Sequence, residues 1–200
     1  MRKRNKITLF DLDKTLITCD SLKQLVFFLL KTDFIKTLSK LPFLFIISIF
    51  HFLSVCDHKT KTKSVFLSKL LSGYTEQQTK KISIKFSKYI FNFFKNKKTY
   101  QILLNSKRSG DKIFIVTASP DFYCKHISAL FKVLLISTKT SFNKKGILKI
   151  VNKNCYGYKK KNRVLKEIKN FKKKYSIFYT DSKSDIPLMQ ICNKAYFVKQ

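Results

Sequence analysis

Five short, mostly apolar runs constrain the fold of this 200-residue chain more than any other feature of its sequence. They are ITLF (7–10), IFIV (113–116), VLLIS (133–137), SIFYT (176–180) and AYFV (195–198). Polar residues bound each run, as in buried parallel strands, and stretches with helical character separate the runs. This alternation predicts an α/β fold with a Rossmann-like, doubly wound parallel sheet, whose ligands bind at the carboxyl ends of the strands.

The long interval between the first two runs predicts an inserted helical cap. Residues 18–100 have the apolar spacing of helices and almost no strand signal. Within residues 75–96, apolar side chains recur every three or four positions, as on one face of an amphipathic helix. These side chains are Ile82, Phe86, Tyr89, Ile90 and Phe93. We therefore expect a core made of residues 1–17 and 99–200, and an all-helical cap made of residues 18–98.

One cap segment, LPFLFIISIFHFLSVC (41–56), has sixteen residues without a formal charge. As a helix it would be about 24 Å long, which is shorter than the roughly 30 Å hydrocarbon core of a bilayer. Lysines flank it on both sides, at Lys31, Lys36, Lys40, Lys59, Lys61 and Lys63. Two interpretations remain: the segment dips into or lies on the anionic cytoplasmic leaflet, or it is a buried helix of the cap.

The charge balance favours an anionic partner. The chain has 42 Lys and Arg against 11 Asp and Glu, a formal net charge of +31. Nucleic acid, an anionic membrane surface and a phosphorylated substrate all fit such a charge. Only four Arg and three Ala occur while Lys, Phe and Ile abound, a skew that an AT-rich genome also produces. Because the sequence contains no recognised nucleic-acid-binding motif, we expect no nucleic-acid partner.

The cysteines and histidines argue against disulfide frameworks and zinc sites. The five cysteines are scattered without a CxxC pair, and the three histidines are dispersed. This pattern predicts free thiols in a reducing compartment. The basic start MRKRNK is followed by a stretch that Asp11 and Asp13 interrupt, so the chain lacks the apolar region of a signal peptide and is expected to begin in the cytoplasm.

Four of the nine aspartates lie just beyond predicted strand ends. Asp11 and Asp13 follow the first run, and Asp181 and Asp185 follow SIFYT. Each alone is compatible with helix capping. Together, at one edge of a parallel sheet, they would repel one another unless a divalent cation held them, and their hard oxygen atoms suit Mg²⁺.

The residues around these aspartates resemble four ordered motifs of the haloacid dehalogenase superfamily of phosphotransferases. The matching stretches are FDLDKTL (10–16), TASP (117–120), a lysine within GYKKKNRVLKEI (157–168) and YTDSKSD (179–185). A cap inserted directly after the first motif is similar to the phosphoserine-phosphatase-like branch. Lys14 departs from the pattern, because this position is often Gly in the superfamily.

The resemblance implies a magnesium-dependent phosphomonoester hydrolase. Asp11 would attack phosphorus and form an aspartyl-phosphate. Asp13 would protonate the leaving alkoxide and then activate water as a base. Thr117 would hold a phosphoryl oxygen. Either Lys161, which we favour, or Lys160 would neutralise the phosphate.

The resemblance also implies a ligand set for Mg²⁺. The metal would be held by the Asp11 side chain, the Asp13 carbonyl and the Asp181 side chain. Asp185 would orient the lysine or a metal-bound water.

Within the superfamily, the chain most resembles the bacterial phosphatidylglycerophosphatase C group. The stretches that carry this likeness are LPFLFIIS, FSKYIFNFF, CYG and YTDSKSDIPLM. It implies dephosphorylation of phosphatidylglycerophosphate in phospholipid biosynthesis, with the enzyme peripheral to, or partly inserted in, the cytoplasmic side of the cell membrane. Two alternatives remain: a soluble cytoplasmic phosphatase of a small metabolite such as phosphoserine, and a non-catalytic basic protein that binds nucleic acid.

Overall fold

A five-stranded parallel sheet forms the centre of the computed structural model, which describes residues 6–53 and 58–198. In this part of the chain the strands are β1 (Ile7–Phe10), β2 (Lys112–Pro120), β3 (Leu134–Thr138), β4 (Thr140–Phe142), β5 (Leu148–Ile150), β6 (Ser176–Thr180) and β7 (Lys194–Phe197). The sheet has the order β3-β2-β1-β6-β7 with parallel pairing throughout. The predicted α/β fold with a Rossmann-like, doubly wound parallel sheet is therefore confirmed.

Both faces of the sheet are buried, which explains the near-continuous apolar runs of its strands. Along β2, Ile113 and Ile115 contact one cluster of buried side chains, whereas Phe114 and Val116 contact a second cluster. This alternation follows from the two-residue period of a strand. The chain therefore needs helices on both sides of the sheet.

Helices cover both faces of the sheet and also make up the interval between β1 and β2. They are α1 (Ser21–Thr32), α2 (Phe34–Leu38), α3 (Leu41–Leu53), α4 (His58–Leu70), α5 (Glu76–Phe93), α6 (Lys97–Arg108), α7 (Asp121–Phe131), α8 (Tyr158–Glu167) and α9 (Ile186–Met189). Helix α5 begins at a capping box formed by Thr75 and Gln78. It ends at Phe93, three residues before the end of the predicted helical stretch.

The chain leaves and re-enters the core through two paired segments. Ile17 and Lys95 form an antiparallel bridge. The Thr18 amide donates to the Phe94 carbonyl at 2.8 Å, and the Asn96 amide donates to the Leu16 carbonyl at 2.9 Å. These contacts lie close to both ends of the predicted cap, residues 18–98.

Helix α3 carries most of the uncharged segment, and residues 54–56 of that segment lie outside the described residues. Leu44 and Ile47 are buried. Six apolar side chains on the other sides are 44–87% exposed: Phe43, Phe45, Ile46, Ile49, Phe50 and Phe52. Complete burial of this helix within the cap is therefore wrong. Among the described residues, no helix has the length and apolar character needed to cross a membrane.

Two of the flanking lysines, Lys36 and Lys40, form hydrogen bonds within the cap itself. The buried Lys40 ammonium donates to the carbonyls of Leu70 at 3.0 Å and Ser72 at 2.7 Å, and Lys36 donates to the Gly73 carbonyl. Both lysines thus bind carbonyls at and just beyond the end of α4, where a helix terminus leaves carbonyls without partners. These bonds hold α2 and the start of α3 against the end of α4.

A hairpin formed by β4 and β5, which the sequence interpretation missed, joins the core to the cap. The Ser68 hydroxyl of α4 donates to the Leu148 carbonyl at 2.8 Å, and the Ile150 amide donates to the Ser64 hydroxyl at 3.0 Å. The two serines are four residues apart and share one face of α4. The hairpin therefore fixes α4 above the carboxyl ends of the strands.

Candidate active site

Asp11 lies where β1 ends, at the carboxyl edge of the sheet. Its amide donates to the Tyr179 carbonyl of β6 at 2.9 Å, which continues the parallel pairing by one residue. Its side chain is buried, and Oδ1 accepts the Leu12 amide at 2.8 Å. The chain then makes a tight turn over Leu12–Leu16, in which Lys14 has φ of +54°. This left-handed conformation gives a physical reason why glycine suits the position that Lys14 occupies.

Lys160 connects the early and late aspartates. Its Nζ lies 3.2 Å from Asp11 Oδ1 and 2.8 Å from Asp185 Oδ2. The Thr180 hydroxyl also donates to Asp185 Oδ2, at 2.7 Å. The side chains of Lys160 and Asp185 are 3% and 0% exposed, so this ion pair is almost completely desolvated.

The choice between two consecutive lysines is settled by where helix α8 begins. Gly157 precedes the helix with φ of +57°, and Lys160 and Val164 then share its buried face. Lys161 is half-buried and forms no ion pair with a described carboxylate. The structure thus brings Lys160, and not the favoured Lys161, to the aspartates.

Burial and neighbouring charges shift the pKa values of Asp11 and Lys160. Burial raises the pKa of Asp11 from 3.8 to about 7; Lys160 opposes this rise, whereas Asp185 and Asp13 add to it. Burial lowers the pKa of Lys160, but Asp11 and Asp185 outweigh burial and hold that pKa above its ordinary value. The ammonium of Lys160 is therefore charged at neutral pH.

Asp13 belongs to a separate hydrogen-bond network. Its Oδ1 accepts the Ser21 amide at 2.7 Å, and its Oδ2 accepts the Ser119 hydroxyl. The Ser21 hydroxyl in turn contacts the Ser119 and Tyr123 hydroxyls, each at 3.0 Å. Burial, and then Asp20, raise the pKa of Asp13, while the bonds from Ser119 and Ser21 lower it. Asp13 is thus fixed in orientation by residues from α1 and β2.

Thr117 and Asp181 occupy neighbouring strand ends. Thr117 is buried two residues beyond the pairing of Phe10 with Ile115, and its hydroxyl accepts the Ser119 amide at 3.0 Å. Asp181 follows β6, and its Oδ1 accepts the Thr15 hydroxyl at 3.4 Å. Burial raises the pKa of Asp181. The four predicted aspartates and Thr117 therefore lie at one edge of the sheet.

The donor set at this edge fits Mg²⁺. The Asp11 and Asp181 carboxylates and the Asp13 carbonyl are hard oxygen ligands. Asp185 Oδ1 is buried and has no hydrogen-bond partner among the described residues, as expected of an atom that accepts a bond from a metal-bound water. No group of three or more His, Cys, Asp or Glu side chains in the described ranges forms a metal cage by itself. The site would therefore use two carboxylates and a carbonyl, with water completing the coordination.

This arrangement can be compared with known proteins. A family model described as haloacid dehalogenase-like hydrolase matches residues 8–190, nearly the whole chain. The chain belongs to this family. A comparison with curated protein sequences finds no match.

Solved structures with similar folds include proteins described as phosphoserine phosphatases or as similar to them. A protein of unknown function from Bordetella pertussis Tohama I is 21% identical, with a TM-score of 0.79 over 96% of this chain and 89% of that one. A phosphoserine phosphohydrolase-like protein from Francisella tularensis is 18% identical, with a TM-score of 0.61 over 95% and 85%. A phospho-aspartyl intermediate analogue of phosphoserine phosphatase is 14% identical, with a TM-score of 0.63 over 96% and 85%. These likenesses support the fold.

Several residues of this haloacid dehalogenase-like hydrolase site carried little sequence signal. Ser119 and Tyr123 contact the Asp13 network from more than 90 residues away along the chain, and Lys63 reaches the Ala118 carbonyl from α4. The one available signal was Ser119 itself, which lies within the quoted TASP motif.

Proposed function

We propose that this hydrolase is a phosphatase that cleaves phosphomonoesters through an aspartyl-phosphate on Asp11. The observation that carries the proposal is that two nearby aspartates lie in different environments. Asp11 is buried against the ammonium of Lys160, whereas Asp13 is bound by two donors and contacts no lysine within salt-bridge distance among the described residues. A nucleophile and an acid–base group need different environments of this kind.

In the first step, an oxygen of Asp11 forms a bond to phosphorus while the bond from phosphorus to the ester oxygen breaks. The contacts from Leu12 and Lys160 both go to Oδ1 of Asp11. Among the described residues none donates to Oδ2, so Oδ2 is the attacking oxygen. The charged Lys160 offsets the repulsion between the carboxylate and the phosphate.

Asp13 moves the proton in both steps. Its raised pKa, caused chiefly by burial, favours the protonated carboxyl that donates a proton to the departing ester oxygen. In the second step the Asp13 carboxylate takes a proton from the water that attacks the aspartyl-phosphate. Ser119 and Ser21 hold the carboxyl in one orientation through both steps.

Mg²⁺, held by the Asp11 and Asp181 carboxylates and the Asp13 carbonyl, would supply a counter-charge to the phosphoryl oxygens. Thr117 lies at the adjacent strand end, where its side chain would bind a phosphoryl oxygen. Asp185 positions Lys160.

Two substrate classes have support. The similar phosphoserine phosphatase structures favour a small phosphorylated metabolite. The exposed apolar side chains of α3, together with the net charge of +31, favour a phosphorylated lipid such as phosphatidylglycerophosphate, presented by an anionic membrane surface.

Phosphate release by the purified protein tests the proposal. With Mg²⁺, we expect release from p-nitrophenyl phosphate and from one of the two substrate classes, phosphoserine or phosphatidylglycerophosphate in vesicles. We expect Asp11→Asn to fold and to release no phosphate. Undiminished turnover by this variant would contradict the role of Asp11.

A further inference from the structure

A cleft of about 450 Å³ opens at the amino ends of β2 and β3, on the edge of the sheet opposite the candidate active site. Lys112 begins β2, and Thr117 follows it by five residues, which is roughly 16 Å along the strand. A ligand in the cleft would therefore lie apart from the aspartates of the site. The volume of the cleft is within the range of small-molecule binding sites.

The lining of this cleft is partly apolar. Val133 and Leu134, at the start of β3, contribute to it, together with side chains from β2 and α7. Leu134 is 47% exposed, although it belongs to a strand of the central sheet. A ligand with an apolar part would cover this surface and remove it from water.

The rest of the lining is positively charged. Lys107, Lys112 and Lys132 face the cleft, and the carboxylate among the lining residues, Asp111, accepts a hydroxyl of β1 at 2.7 Å. Within residues 6–53 and 58–198, no carboxylate lies at ion-pair distance from these three ammoniums. Lys107 donates instead to the neutral carbonyl of Phe131. The three cations therefore lack an anionic partner.

Two of these ammoniums also repel each other. Burial, and then the charge of Lys132, lower the pKa of Lys107, so the two side chains lie close together. An anion bound between them would relieve this repulsion and would replace a neutral hydrogen-bond partner with a charged one.

We propose that this cleft binds a phosphate group attached to an apolar body. Lysine ammoniums bind phosphate as point charges, and three of them offset the charge of a phosphate or its ester. The apolar lining contacts the remainder of the ligand, a surface that a free phosphate ion would leave unused. The ligand is either a soluble organic phosphate or the headgroup region of a phospholipid. The inference does not depend on the proposed function, because the cleft is remote from Asp11.

Amide chemical shifts in proton–nitrogen NMR spectra of the full-length protein test this assignment. The protein is titrated in EDTA at about 0.15 M ionic strength with phenylphosphonate, with dihexanoylphosphatidylglycerol below its micelle concentration, and with orthophosphate. Neither organic probe is a phosphomonoester, so the proposed activity consumes neither of them. We expect at least one organic probe to shift the amides of residues 107–113 and 129–134 saturably, and orthophosphate to bind at least about tenfold more weakly. The probe that binds distinguishes a soluble ligand from a lipid.

A pair of double variants separates the cleft from the general charge of the protein. Lys112→Gln with Lys132→Gln should weaken binding of that probe at least about tenfold, because two charged donors are lost. Lys97→Gln with Lys98→Gln removes two exposed lysines from the start of α6 and is the matched control for net charge. The control should weaken binding less than about twofold.

Three kinds of result would overturn the assignment. Shifts scattered over exposed lysines, or equal losses in the two double variants, would mean that the net charge of +31 attracts the probes. Orthophosphate that binds as tightly as the organic probes would mean that the apolar lining takes no part. The absence of a saturable shift at residues 107–113 and 129–134 with either organic probe would mean that the cleft is not a binding site.

Discussion

Lys160 lies 3.2 Å from Asp11, close enough for its ammonium to balance the charge of the buried carboxylate. It also pairs with Asp185 at 2.8 Å, so one cation serves two desolvated anions. We therefore expect the stability of the folded core and the proposed reactivity of Asp11 to depend on the same side chain.

Replacing Lys160 tests this dependence. Lys160→Met leaves Asp11 and Asp185 buried without their cation, which we expect to cost about 3–5 kcal/mol of unfolding free energy and at least a hundredfold in kcat/KM. The neighbouring Lys161→Met is the matched control and should stay within about 0.5 kcal/mol of the wild type. Urea denaturation and phosphate-release assays measure both. Larger losses for Lys161→Met than for Lys160→Met would contradict the placement of Lys160.

The ionisation of Asp11 predicts a pH-dependent stability. The folded pKa is about 7 against 3.8 for the free group, so folding favours the protonated carboxyl. Asp11 therefore contributes stability at low pH that is lost as the pH rises from about 4 through 7. Because asparagine cannot ionise, the Tm of Asp11→Asn should rise relative to that of the wild type by several degrees over this range.

This comparison is made in a chelator, since a bound cation would lower the pKa of Asp11. Thermal unfolding followed by circular dichroism at pH 4, 6 and 8 gives the Tm difference. A difference that is constant with pH would show that Asp11 has an ordinary pKa.

The Ser119 hydroxyl predicts a shift in the pH profile of catalysis. Its bond to Asp13 lowers the pKa of that carboxyl, so Ser119→Ala should raise the pKa. In the proposed mechanism turnover requires the protonated Asp13 carboxyl, so the alkaline limb of kcat/KM should move to higher pH. Tyr123→Phe leaves the bond from Ser119 to Asp13 in place and serves as the control. An alkaline limb that is the same in Ser119→Ala and wild type would remove Ser119 from this role.

The exposed side of α3 predicts binding to anionic membranes. Phe45 and Phe52 are 69% and 87% exposed, so replacing both with Ser should leave Tm unchanged. We expect binding to phosphatidylglycerol vesicles to fall at least about tenfold, with turnover of p-nitrophenyl phosphate retained. Phe93→Ser, an equally exposed phenylalanine of α5, is the control and should bind as the wild type does. Equal binding by all three proteins in flotation assays would exclude α3 as the lipid contact.

The sheet and its aspartates were predictable because each depends on local sequence. Runs such as ITLF and SIFYT end directly at Asp11 and Asp181, and parallel strands bring their carboxyl ends to one edge. The choice of Lys160 was not predictable, since consecutive helical residues point about 100° apart and the first helical residue decides which one faces inward.

Contacts between distant segments were also beyond sequence reasoning. The strands β4 and β5 have three residues each, which is too short for a periodic signal, yet they hold α4 through Ser64 and Ser68. The bond from Ser119 to Asp13 spans 106 residues. The motifs TASP and FDLDKTL place both residues at one site, but neither motif indicates that these two side chains are bonded to each other. Lys63 was interpreted only as a flanking charge, because its distance from Ala118 is set by the packing of the cap.

The central claim is a covalent bond between Asp11 and the phosphoryl group. Rapid acid quenching of the protein during turnover, followed by reduction with borohydride and peptide mass spectrometry, locates any acyl-phosphate. We predict that Asp11 is the modified residue and that Asp11→Asn carries no label. Label on another residue, or phosphate release without any labelled aspartate, would contradict the account.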